Sequence, residues 1–255
     1  MGYHRPGMAI TTAVGIIPAR RAATRFPGKP LARIAGRPML EWVFAGAGHA
    51  KRLSRVLVAT DHSEIVSACH RFGAEAVLTS PEHPTGTDRV AEVAAGLSEN
   101  IIVNIQGDEP LIEGFVIDAA VAALEADPAA PMATIVHPAE SSVLDDPNRV
   151  KVVLDQRNRA LYFSRAPIPA ALEPGREAPY WQHVGLYAYR RSFLLEFVKL
   201  PRTPLERAEG LEQLRALEHG FPIAVAVIEG WQSIPVDVPE DIPCVETALR
   251  AREQV

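Results

Sequence analysis

Short β-branched runs alternate with segments of helical periodicity along the first half of the chain, and this alternation constrains the fold more than any other feature. The runs are AVGIIP (13–18), RVLVATD (55–61), EAVLTS (75–80) and NIIVNIQGDEP (100–110). Between them, apolar spacing predicts helices over 38–51, 63–72, 88–97 and 115–125, with Gly73 stopping the second and Asp127-Pro128 following the fourth. Strand, helix and strand in repetition imply a parallel sheet with crossover helices.

Past Pro138 the rhythm changes. VKVVLDQRNRALYFSR (150–165) reads as two strands around the polar turn DQRN, and HVGLYAYR (183–190) as a third, which predicts an antiparallel extension. A helix over 204–219 ended by Gly220, a strand over 223–228, the segment SIPVDVPED and a closing helix from about Pro239 complete the pattern. No linker or repeat interrupts it, and 255 residues suffice to bury the core of one α/β domain carrying a lobe. Residues 1–12 read as an N-terminal overhang, with Met8 an alternative start.

Composition narrows the function classes. A formal charge of −5 argues against broad binding to a phosphate backbone, so nucleic acid is not an expected partner. Cys69 and Cys244 form neither a CxxC pair nor a Cys/His cluster, which leaves no disulfide framework or zinc site and makes the cytoplasm the expected location. No run approaches the roughly 18 apolar residues of a membrane-spanning helix.

In open α/β sheets ligands gather at the carboxyl ends of parallel strands, which places PARRAATRFPGKPL in the expected cleft. Arg20, Arg21, Arg25 and Lys29 sit there among Pro18, Pro27, Gly28 and Pro30, where exposed backbone N–H groups can join the cations around a polyphosphate. A merely solvated basic loop is the alternative. The loop matches neither GxxxxGK[ST] nor GxGxxG, so another kind of nucleotide loop is required.

Further along, NIQGDEP puts Asp108 and Glu109 where a hard oxygen ligand would meet a phosphate-borne metal; Mg²⁺ typically takes one or two carboxylates plus phosphate oxygens. Asp237 in PVDVPED is a second acidic candidate, with Glu240 and Asp241 reading as first-turn residues of the last helix. HPTGTDR (83–89) either reads a nucleobase edge or caps the helix beginning near Asp88. His183 and Tyr187 share one face of a strand, which is either a ligand surface or a half-buried sheet face. On the helix over 204–219, Leu211, Leu214 and Leu217 form the apolar stripe while Glu209, Glu212 and Gln213 cluster on another face, whose plain reading is a solvated polar surface.

Taken together and in order, IIPARRAATRFPGKPL, VATD, PTGTDR, VNIQGDEP, VKVVLD, ALYFSRAPIP, HVGLYAYR, PLERAEGLEQLRAL and VDVPEDI resemble the cytidylyltransferases that make CMP-KDO, KDO being the eight-carbon sugar acid 3-deoxy-manno-octulosonate. The resemblance spans about 14–246. It implies a Rossmann-like nucleotidyltransferase fold of the α/β class, with a mostly parallel central sheet and a smaller antiparallel lobe. The nucleotide-binding part would cover about 13–137, an acceptor-binding and dimerisation lobe about 138–222, and a closing segment 223–255.

The same resemblance implies that the sugar's anomeric hydroxyl attacks the α-phosphorus of CTP while Mg²⁺ helps pyrophosphate leave. Arg20, Arg25 and Lys29 would neutralise the phosphates, and Asp108 with Asp237 would hold Mg²⁺. Pro18, Ala19, Thr85, Gly86, Thr87, Arg89 and Gln106 would complete the nucleotide pocket. Gln106, Arg165, His183, Tyr187, Glu212 and Gln213 would bind the acid, and a homodimer is implied. The chain departs from the family at Ala23, where Ser is usual before Thr24-Arg25, at Ile234-Pro235, and at Val238 in place of Thr. The segment after the Ile-Pro pair is also short. Rival readings are a cytidylyltransferase for another small acid, such as a different ulosonate, an amino-substituted relative or a phosphonate, and a nucleotide-sensing domain without catalysis.

Overall fold

The computed structural model describes residues 12–21, 26–170 and 179–252. Strand β1 (Ala13–Ala19) leads through a short 3₁₀ turn at Lys29–Leu31 into the hairpin β2 (Arg33–Ile34) and β3 (Arg37–Pro38). Four crossover units follow: α1 (Met39–Ala47) with β4 (Leu53–Thr60), α2 (Ser63–Arg71) with β5 (Glu75–Leu78), α3 (Gly86–Ala95) with β6 (Ile101–Asn104), and α4 (Gly114–Ala126) with β7 (Met132–Pro138). The hairpin β8 (Lys151–Leu154) and β9 (Ala160–Ser164) precedes β10 (Trp181–Arg190). The chain closes with α5 (Arg191–Phe197), α6 (Pro204–Glu209), α7 (Gln213–Glu218), β11 (Ile223–Val227) and α8 (Ile242–Arg252).

The central sheet runs β11-β7-β10-β6-β1-β4-β5, with β8 also pairing β10 and β9 pairing β8. Strands β6, β1, β4 and β5 are mutually parallel, as are β7 and β11. The expected mixture of a mostly parallel sheet and a smaller antiparallel part is therefore present, but β10 lies inside the central sheet, antiparallel to both β6 and β7. Only β8 and β9 extend outward from it.

Burial on both faces explains why the parallel strands read as continuous apolar runs. On β1, Val14 and Ile16 face one core with α3, α5 and α7, while Ile17 and Ala19 face the other with α1, α2 and α4. A third, smaller core of Ile34, Met39, Leu111, Val236 and Val245 seats the segment before α8 against the β2–β3 hairpin. It brings residues more than two hundred positions apart to one end of the sheet.

Several elements differ from the sequence expectation. Strands β2, β3 and β7 and helix α5 were not anticipated, and the helix over 204–219 is two helices. Gly210 breaks it by adopting the left-handed conformation (φ 63°), which glycine accepts without a steric penalty at a helix end. The break lets α7 fold back so that the Arg215 guanidinium donates in bidentate fashion to Glu206, at 2.9 and 2.6 Å. Helix α3 begins two residues earlier than expected because Thr85 caps it, accepting from the Asp88 N–H.

Glu206 and Arg215 are 1% and 5% exposed. Removing one charge of such a pair strands the other, so Glu206→Gln is expected to lower unfolding free energy by about 3 kcal/mol. Arg202, which also contacts Glu206 but is largely exposed, is expected to contribute under about 1 kcal/mol when replaced by Met. Equilibrium denaturation of the two variants checks both.

Candidate active site

The carboxyl ends of β1 and β6 and the start of α3 converge because glycines stand where side chains would collide. A Cβ at Gly107 would lie 3.1 Å from the Pro18 carbonyl, and one at Gly86 3.3 Å from the Pro18 ring. Between these segments opens a cleft of about 470 Å³, lined among others by Pro18, Ala19, Arg20, Lys29, Thr85, Gly86, Arg89, Gln106, Asp108 and Asp237. The structure thus brings together most of the residues assigned to nucleotide and metal. Arg25 lies outside the described residues, and Thr87 is buried behind the cleft.

Gly28 (φ 74°) turns the basic loop back, its N–H donating to the Arg21 carbonyl, and this delivers Lys29 into the cleft. The Lys29 ammonium stands 2.9 Å from Asp108 Oδ2 and 3.5 Å from Asp237 Oδ1. Two carboxylates from distant segments therefore converge on one cation. Asp237 is aimed by its surroundings: Val236 N–H donates to the Asp108 carbonyl, and the N–H groups of Asp237 and Val238 both donate to Asp241 Oδ2. Asp241 thereby caps the turn that carries Asp237, sitting in a 3₁₀ turn just before α8.

No group of three or more His, Cys, Asp or Glu side chains able to cage a metal occurs among the described residues. Two carboxylates sharing one cation beside a basic loop instead suit Mg²⁺ arriving on phosphate oxygens.

The wall of the cleft is braced from behind. Arg89 is 3% exposed and donates to Asp61 (3.0 Å) and Thr79 (2.5 Å), while Asp61 accepts from the Arg21 N–H. Thr87 donates to Glu212 at 2.6 Å, and burial raises the carboxyl pKa of Glu212. Glu212 therefore supports the α3 N-terminus. Arg21 itself turns outward to Glu64.

A second cavity of about 220 Å³ adjoins the first across the Gln106–Glu109 segment and includes Glu109, Arg149, His183, Tyr187, Gln213 and Ser233 in its lining. Gln106 packs against Gly185 there, where a Cβ would come within 3.3 Å of it. Glu109 accepts from the Ser233 hydroxyl at 2.6 Å through one oxygen, while its other oxygen is buried without a partner. Burial pushes its pKa up to about 8, against the opposing Ser233 hydrogen bond. Gln213 likewise buries its amide nitrogen without a partner.

Of the residues assigned to the acid, the structure brings His183, Tyr187 and Gln213 into this cavity; Gln106 lines the first. Arg165 and Glu212 line neither. The Arg165 guanidinium donates to the carbonyls of Glu209 (2.6 Å) and Pro147 (2.7 Å). Arg149, Asn148 and Ser233 were not singled out from the sequence, because nothing local marks them; only the pairing of β8 with β10 carries the first two to the cavity.

His183 is buried, and burial alone holds its pKa down at about 3. The Thr134 hydroxyl lies 3.0 Å from His183 Nε2 and donates to the Leu186 carbonyl at 2.8 Å, so it accepts from the ring. The expected tautomer is neutral with the proton on Nε2. The unfolded chain binds a proton that the folded one refuses, so this residue lowers stability as pH falls below about 6.5. ¹⁵N NMR of the ring is expected to show this tautomer unchanged down to about pH 4; a midpoint near 6.5 would contradict the burial argument.

Comparison with known proteins identifies the family. The cytidylyltransferase family profile matches residues 14–229. The 3-deoxy-manno-octulosonate cytidylyltransferase of Syntrophotalea carbinolica is 50% identical over 252 residues, covering 95% of this chain and 99% of the relative. That of Myxococcus xanthus is 50% identical over 240 residues, covering 94% and 97%. A solved CMP:2-keto-3-deoxy-manno-octonic acid synthetase complexed with CTP superposes with a TM-score of 0.89 at 40% identity, covering 95% of this chain and 99% of that one. At 13% identity and a TM-score of 0.63, the 4-diphosphocytidyl-2C-methyl-D-erythritol synthase of Anaerococcus prevotii shares the fold alone. The chain belongs to the 3-deoxy-manno-octulosonate cytidylyltransferase family of nucleotidyltransferases.

Proposed function

We propose that the protein couples CTP to the anomeric hydroxyl of KDO, giving CMP-KDO and pyrophosphate. The observation that carries this reading is the adjacency of two unlike cavities. One is basic, with two converging carboxylates; the other is lined mostly by buried hydrogen-bonding groups beside Arg149, and the consecutive residues Asp108 and Glu109 face one each. Such a pair can hold a nucleoside triphosphate and an acceptor side by side, which is what a direct displacement needs.

In this reading Arg20, Arg25 and Lys29 bind the CTP phosphates, and the start of α3 with Thr85 and Gly86 borders the base. The acceptor oxygen forms a bond to the α-phosphorus as the bond to the pyrophosphate oxygen breaks, and the hydroxyl proton passes to solvent. Mg²⁺ held by Asp108 and Asp237 would supply charge neutralisation at the phosphates. Lys29 already supplies the matching positive charge between the two carboxylates.

A homodimer and a cytoplasmic location belong to the same proposal. The first rests on the family resemblance, and the free thiols Cys69 and Cys244 fit a reducing compartment.

Pyrophosphate release from the purified protein tests the reaction. Release is expected with CTP, KDO and Mg²⁺ together, and not with ATP or UTP; release only with another sugar acid or a phosphonate would rename the acceptor. Asp108→Asn and Asp237→Asn are each expected to lower kcat by about 10²-fold or more while circular dichroism stays native, since charge stabilisation at the transferring group is the dominant catalytic contribution. Near-normal turnover in either variant would remove that residue from the metal site.

A further inference from the structure

Arg165 is implied by family resemblance as a binder of the acid, yet its guanidinium is engaged by backbone carbonyls. An acidic acceptor entering the second cavity still needs a counter-charge, because a carboxylate removed from water without one is strongly disfavoured. Among the described residues lining that cavity, Arg149 is the one with a permanent positive charge, since the buried His183 imidazole is neutral. Its side chain is 31% exposed; its guanidinium approaches Asp146 only loosely, at 3.9 Å and beyond hydrogen-bonding distance, and its charge also acts on Glu109 in the same lining.

The loop that carries it is held in place before any ligand arrives. Asp146 accepts from the Asn148 N–H through its side chain, and its carbonyl accepts from the Arg149 N–H and from Lys151 Nζ. The Pro147 carbonyl takes the Arg165 guanidinium, and the Val150 carbonyl takes the His183 N–H. Arg165 thus fastens the loop to the end of α6, while Arg149 on that same loop lines the cavity.

We propose that Arg149 recognises the acceptor's carboxylate. A guanidinium offers the forked donor geometry that a carboxylate matches, with energy and direction that an ammonium lacks. In a 2-keto sugar acid the carboxylate is attached to the carbon that bears the anomeric hydroxyl. Gripping it therefore fixes the attacking oxygen as well as the acceptor's identity.

This inference rests on the cytidylyl-transfer reading above. The test measures pyrophosphate release by wild type, Arg149→Met and Arg149→Lys with CTP and Mg²⁺, using KDO and its C1 amide as acceptors. Arg149→Met is expected to raise the KM for KDO about 10- to 100-fold, the range of a hydrogen-bonded charge pair, with the KM for CTP within about twofold of wild type. It is also expected to collapse the preference of wild type for KDO over the amide, and Arg149→Lys to restore part of that preference. An unchanged KM for KDO, or an unchanged acid-to-amide ratio, overturns the assignment while leaving the reaction intact. Silence of the wild type with CTP and KDO overturns the reaction and the assignment with it.

Discussion

The Lys29 ammonium between Asp108 and Asp237 is the junction on which the cleft depends. It joins the loop after β1, the loop after β6 and the segment before α8. Each carboxylate alone would be an ordinary exposed acid. Held within reach of one cation, they form a compact region of alternating charge. The third core supplies the leverage, because burying Val236 with Ile34, Met39 and Leu111 fixes the backbone that presents Asp237.

Burial sets the two cavities apart. The cleft keeps its charged groups partly solvated, as a site for a highly charged nucleotide must. Behind it, His183 is held neutral by desolvation, and Glu109 and Gln213, both in the lining of the second cavity, each bury a polar atom without a partner. Unpaired buried polar atoms carry a desolvation cost, and a polyhydroxylated acceptor would relieve it by hydrogen bonding. The α6–α7 corner and the 146–150 loop, clamped by Glu206–Arg215 and by Arg165, hold this cavity's far wall.

The parts of the molecule legible in the sequence are those governed by short-range pattern. The four parallel strands β6, β1, β4 and β5, their crossover helices, the β8–β9 hairpin and the cleft position of Arg20, Lys29, Asp108 and Asp237 follow from periodicity, breakers and the rule that ligands collect at strand carboxyl ends. The errors lie where tertiary context decides. Gly210 in PLERAEGLEQL was read through as helix because its neighbours are strong helix formers, yet the buried Glu206–Arg215 pair is formed across a left-handed turn there. Strand β7 is absent from the sequence expectation although its apolar run, beginning just after Pro131, is buried on both faces like those of the parallel strands.

Sequence alone thus determined the fold class, the location of the basic loop after the first strand and the two acidic segments that meet beside it, because each is written in residues close together in the chain. Only the tertiary structure decided that β10 inserts antiparallel between β6 and β7, that Glu212 and Arg165 serve as braces, and that Arg149 faces the second cavity. Those outcomes depend on strand pairing and on side-chain partners dozens of residues away, which no local pattern encodes.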